Sequence, residues 1–170
     1  MRASFFSPLR NARNRSVAYV TGWAKASVRG DTIAVVFATS DTVYFYSRAG
    51  RPLGQVPVPS GYFRHGPAEG PRRTVADPAE KARWMSRFDF AEAVYWLADG
   101  TLLVAYQSVD PDRALERNRH LVRMTRSGEL LFETRDGPRL LEVDGGTSTL
   151  VFVHPDAEVP DRWALGRVRR

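Results

Sequence analysis

Hydrophobic and polar residues alternate with a period of two along most of the chain. "DTIAVVFA" (31–38) is followed by "TVYFYSRAGRPLGQVPV" (42–58), which reads as two strands around a turn at Ser47–Gly50. "AVYWL", "TLLVAYQ", "HLVRMTR" and "ELLFETR" come next, separated by Asp99-Gly100, an Asp/Pro loop and Ser127-Gly128. "RLLEV", "TLVFVH" and "RWALGRV" complete the series. Short alternating runs rich in valine, leucine, tyrosine and phenylalanine, bounded by glycine and aspartate, are the mark of strands and hairpins. The pattern therefore predicts an all-β chain. One helix stands apart: "DPAEKARWM" puts Asp77 at the N-cap, Pro78 at the first helical position and Glu80 where a capping box needs it, which predicts a helix over 78–86. Trp84 and Met85 would seat it on the sheet. A short helical turn is expected around Ala114–Arg117.

The alternation also repeats on a longer scale. "SVRGDTIAVVFA" (27–38), "WLADGTLLVAYQ" (96–107) and "EVDGGTSTLVFVH" (142–154) share one plan: a strand, a Gly/Asp turn and a threonine-led apolar strand. Two of these units continue alike. "TVYFYSRAGRPLGQV" (42–56) aligns without gaps with "HLVRMTRSGELLFET" (120–134), so that Arg48 matches Arg126, Gly50 matches Gly128 and Leu53 matches Leu131. In the third unit "RWALGRV" takes the place of the strand after the hairpin. Gly100 and Gly145 stand 45 residues apart, a spacing that suits four strands per unit. Gly30 and Gly100 stand 70 apart, and the excess is accounted for by an insertion over 59–86 that carries the helix. The whole chain, 1–170, reads as a single domain of about three four-stranded units stacked on one another. The competing reading is an ordinary antiparallel sandwich with look-alike hairpins.

Those repeated hairpins resemble blades of bacterial six-bladed β-propellers related to NHL repeats. The resemblance covers roughly residues 15–170, and "PDRWALGRVRR" looks like the closing strand of a last blade. It implies a half-propeller resembling the C-terminal half of that family. It therefore implies self-association, or a partner that supplies the remaining blades. Fold likeness alone carries no activity. The resembled family is usually exported. The N-terminal "MRASFFSPLRNARNR" has no apolar segment of signal-peptide length, so the chain as written reads as not exported, and the compartment stays open. No run approaches the ~18 apolar residues of a membrane span.

Charge changes this picture little. The net charge is +6, and lysine occurs only at Lys25 and Lys81, so the basic residues are nearly all arginine. They are scattered among acids, with no compact run beyond Arg72-Arg73 or Arg167–Arg170. The composition thus points away from nucleic-acid binding, and polyanion binding is a weaker alternative. The chain has no cysteine, which excludes disulfides, thiolate zinc sites and thiol catalysis.

Candidate chemistry is sparse. His65, His120 and His154 lack metal-ligand spacing, and no metal ligands are assigned. Some propeller hydrolases carry a divalent ion on the pore axis, but Asn11, Asn14 and Asn118 do not occupy the repeated strand-end position such a site needs. There is no GxSxG, and "GGTSTL" leads into a strand, so it cradles no phosphate. No catalytic residues and no cofactor are assigned. What remains is the insertion with the loop 108–119, since long loops on a rigid sheet scaffold are where binding residues tend to sit. Tyr62, Arg64, His65, Arg72 and Arg73 would form one aromatic and cationic lip, and Arg113, Arg117 and Arg119 another. Together they suit an anionic ligand or an acidic protein surface. The expected function is a non-enzymatic binding or scaffold domain. The alternative is a hydrolase or lyase whose pore-axis metal is completed by other blades.

Overall fold

The computed structural model describes residues 24–65, 77–109, 117–135, 137, 140–153 and 163–167. It is an all-β fold of three antiparallel sheets and one short helix. The first sheet holds β1 (Ala24–Arg29), β2 (Thr32–Phe37), β3 (Thr42–Ser47) and β4 (Pro52–Pro57). The middle sheet holds β5 (Asp89–Trp96), β6 (Leu102–Val109), β7 (Arg117–Met124) and β8 (Leu130–Thr134). The last has three strands among the described residues, β9 (Leu140–Asp144), β10 (Thr149–Val153) and β11 (Trp163–Arg167). In each sheet the strands lie side by side in chain order. The helix α1 (Pro78–Met85) falls between β4 and β5, inside the expected insertion. Its Asp77 cap is real: the Ala79 N–H donates to Asp77 Oδ1 at 2.9 Å. Trp84 and Met85 pack on the fully buried Phe88 and Phe90, which lead into β5. Residues 114–116 of the expected helical turn lie outside the described residues, and Arg117 opens β7 rather than closing a helix.

The gapless match between the β3–β4 and β7–β8 hairpins extends to their backbones. Gly50 and Gly128 both adopt positive φ, 80° and 95°. The Gly50 N–H reaches Ser47 O and the Gly128 N–H reaches Thr125 O, closing the same turn. Ser47 Oγ and Thr125 Oγ1 each accept the N–H of the residue that follows it by four, Arg51 and Glu129. Even the register shifts coincide: one falls between Phe45 and Tyr46, the other at the aligned Arg123 and Met124. The first hairpin of each unit is less uniform. β1 turns into β2 through Gly30-Asp31, whereas five residues separate Trp96 from Leu102 and four separate Asp144 from Thr149.

Period-two alternation places the core. Along β6, Leu102, Val104 and Tyr106 join Ala34, Val36, Val43 and Phe45 in the cluster between the first and middle sheets. Leu103 and Ala105 join Leu140, Val143 and Leu150 in the cluster between the middle and last sheets. The middle sheet is thus covered on both faces. β1 is the strand of the first sheet that lies most closely on β5, with the Ser27 hydroxyl accepting the Trp96 N–H at 3.0 Å. The Ala98 N–H in turn donates to Ser148 Oγ of the last sheet at 3.0 Å. The leading hairpins of all three units are therefore in contact.

Candidate functional site

At one end of the first two sheets the chain leaves β4 and runs as a loop over their interface. Val58 is buried in the shared core, and Phe63 packs on it from outside, 4.7 Å from the Tyr106 ring. The loop is pinned from both sides by carboxylates of the middle sheet. The Ser60 hydroxyl donates to Glu133, and the Gly61 N–H reaches the other Glu133 oxygen at 3.3 Å. Asp89 takes three donors from Arg64: the backbone N–H at 2.9 Å, Nε at 3.1 Å and Nη2 at 2.8 Å. A buried carboxylate held by a forked guanidinium and a backbone amide is a strong local clamp. Arg64 Nη1 completes it on Ser86 O at 2.9 Å, tying the loop to the segment after the helix.

Beneath the loop sit Tyr106 and His120, partners across β6 and β7 with rings 5.3 Å apart. Both side chains are buried, and neither Tyr106 Oη nor His120 Nε2 has a hydrogen-bond partner. Burial pushes the Tyr106 phenol well above its usual range, and the nearby Asp41, Asp89 and Glu133 charges push the same way. Burial also lowers His120; Asp89 and Glu133 oppose this, while Arg135 and Arg64 add to it. At this end of the interface the buried imidazole is held toward its neutral form.

The structure brings Tyr62, Arg64 and His65 together on this loop. Tyr62 is exposed and carries the Arg135 guanidinium 3.4 Å from its ring centroid. His65 Nδ1 lies 3.7 Å from Asp41. Arg119 is not part of the group. It follows Gln107 in register, on the opposite face of the middle sheet from His120, where its Nε lies 3.5 Å from Glu92. Arg117 begins β7 opposite Val109. Arg72, Arg73 and Arg113 lie outside the described residues. The cationic lip is thus less open to anions than the sequence suggests, because Arg64 and Arg119 both face carboxylates.

Four residues of this end were not singled out as a group by sequence reading: Asp89, Tyr106, His120 and Glu133. The repeat itself holds a signal for two of them. Tyr106 stands where the first unit has Phe37, and His120 stands where it has Thr42, so each differs in polarity from its copy. Among the described residues no group of three or more histidine, aspartate or glutamate side chains could hold a metal ion. No helix among them is long and apolar enough to cross a membrane.

No family model matches the chain, and no curated protein matches it. Among solved structures, a protein of unknown function from Bacteroides caccae is similar at 13% identity and a TM-score of 0.36, over 85% of this chain and 45% of that one. This chain therefore spans less than half the length of that neighbour.

Proposed function

We propose that this chain is a half-ring of β-propeller type, resembling the NHL-like six-bladed family, and that it acts as a non-catalytic binding or scaffold domain completed by a second copy of itself. The observation that supports this is the facing sense of the repeat. Ile33, Val35 and Phe37 of β2 align with Leu102, Val104 and Tyr106 of β6, the residues that the middle sheet turns toward the first. In the first sheet those positions face away from the middle sheet, with Tyr44 beside Phe37 at 5.4 Å. Val28 on the same face is 52% exposed. At the other end of the stack Val151 and Val153 align with Leu103 and Ala105, the residues that the middle sheet turns toward the last. Leu165, across from Val151, is 69% exposed.

The last sheet thus ends on the kind of face that each unit offers to its successor. The first sheet begins on the kind of face that each unit offers to its predecessor. Packing one copy's last sheet on the other's first would repeat the internal interface twice, and a two-fold arrangement closes it without leaving a free apolar face. The loop end with Tyr62, Arg64 and His65 is the surface we assign to ligand or protein binding. Light scattering on the purified chain tests the reading. A mass of two chains is expected, falling to one chain in Leu165→Lys, whose exposed position tolerates the charge. A monodisperse wild-type monomer across micromolar concentrations would sink the half-ring.

A further inference from the structure

At the end of the sheets away from the pinned loop, the leading turns of the three units enclose a cleft of about 410 Å³ lined by Val28, Arg29, Gly30, Trp96, Leu97, Ala98, Gly145 and Gly146. Its wall is built by close approach. A Cβ on Gly145 would stand 2.7 Å from Trp96 O, so only glycine lets the β9–β10 turn come this near the end of β5. A Cβ on Gly100 would overlap Arg29 Nη1, so glycine there lets the guanidinium lie across the turn. Arg29 Nη2 is held in place by Ala98 O at 3.0 Å.

Arg29 is the only charged residue in that lining, and no carboxylate lies within ion-pair distance of it among the described residues. Arg48 beside it likewise spends its Nε on a carbonyl, Gly30 O at 2.8 Å. Asp31, in the β1–β2 turn, is exposed, and two further acids of the same rim are committed to their own turns. Asp99 accepts from the Thr101 N–H and hydroxyl and pairs with Arg123. Asp144 accepts from the Gly146 N–H and the Thr147 hydroxyl. Trp96, at the back of the cleft, turns its ring into the core between the first and middle sheets, 6.0 Å from the Phe45 ring. A guanidinium held by a carbonyl, with unspent donors, with the exposed Val28 and Ala98 in the same lining and with no described carboxylate within ion-pair distance, is a receptor for an anion on a small apolar body.

We propose that this cleft binds a small organic monocarboxylate, with Arg29 holding the carboxylate and the exposed Val28 and Ala98 contacting the apolar part. The proposal does not need the half-ring reading, although Val28 borders both surfaces, and it concerns the opposite end of the sheets from the pinned loop. Titration of the full ¹⁵N-labelled chain with benzoate, with benzyl alcohol as the neutral isostere at matched ionic strength, tests it. Saturable shifts are expected at the amides of Gly30, Ala98, Gly145 and Gly146 with benzoate and not with the alcohol. Arg29→Gln should weaken that binding at least tenfold. Arg87→Gln, which removes the same charge before the far end of β5, should leave it unchanged. Should Arg29→Gln fail to fold, Ala98→Asp at an exposed position of the lining provides a second test, with at least a threefold loss expected from the added negative charge. Absence of saturable shifts with benzoate, equal response to the alcohol, or wild-type affinity in a folded Arg29→Gln or Ala98→Asp would overturn the assignment.

Discussion

The first and middle sheets are built from the same sequence plan, yet they live in different surroundings. Their β3–β4 and β7–β8 hairpins share turn, capping hydroxyl and register shift. Their side chains also keep the same facing sense, since Val43 and Leu121 at aligned positions each pack toward the following sheet. The middle sheet, however, is covered on both faces, while the first meets another sheet on one. The outer strands differ too. β4 places Pro52 and Pro57 at its ends and Gly54 between them, residues that blunt an edge. β8 has none of these and exposes Leu130, Leu131 and Phe132 in succession. A common backbone plan thus carries side chains suited to different neighbours, and aligned positions become matched pairs for experiment.

The largest expected difference concerns the apolar strand that follows the first hairpin turn. Leu102 is fully buried, and Ile33 at the aligned position is half-buried. Leu102→Ala should cost about 2–5 kcal/mol through lost burial and the cavity left behind. In the single-chain Leu165→Lys background, where that face stays uncovered, Ile33→Ala should cost about 1 kcal/mol, the ordinary effect of a point mutation. Urea unfolding of both variants at one protein concentration measures this. Equal losses would mean that the first sheet is as fully covered as the middle one, and the comparison would break.

Much of this architecture was legible in the sequence because it rests on local rules. Period-two alternation placed every described strand from β2 onward, and glycine spacing placed the turns, since a positive φ excludes most other residues. Asp77 and Pro78 marked the helix start because capping is a short-range effect. The site was less legible because it depends on partners distant in sequence. Nothing near Arg64 announces Asp89, and nothing near Ser60 announces Glu133, although these pairs fix the loop. The sequence pattern places Arg119 with Arg113 and Arg117 in a second cationic lip, but strand parity turns it to the opposite face of the sheet from His120, beside Glu92. The third unit also reads in sequence as a four-stranded copy, and the described residues supply three of its strands.

A smaller effect sharpens the comparison beneath the pinned loop, where the middle unit has Tyr106 and the first has Phe37. The Tyr106 hydroxyl is buried without a partner, and leaving such a group unpaired costs about 1–3 kcal/mol. Tyr106→Phe keeps the ring that packs on Phe63 and removes only the hydroxyl. It should raise stability by about 1 kcal/mol in urea or thermal unfolding. A loss of similar size would show that the hydroxyl holds a favourable interaction in solution, and the two positions would then differ by function rather than by burial.

The smallest effect is one of pH, and it falls on the aligned pair Thr42 and His120. Burial lowers the folded-state pKa of His120 below its ordinary 6.5, the value expected in the unfolded chain. Between those two values the unfolded state binds a proton that the folded state does not, so stability rises with pH across that window. Above 6.5 both states are neutral and this dependence vanishes. As pH falls through 6.5 toward the folded-state value, stability is progressively lost. His120→Thr gives the middle unit the residue of the first and removes the titrating group. Thermal unfolding of both proteins at steps from neutral to mildly acidic pH should therefore show curves that run parallel above the window and separate within it, with the variant declining less. Parallel curves throughout would mean that Asp89 and Glu133 fully offset the burial of the imidazole, and His120 would then be no more sensitive to acid than the threonine at the matching place in the first sheet.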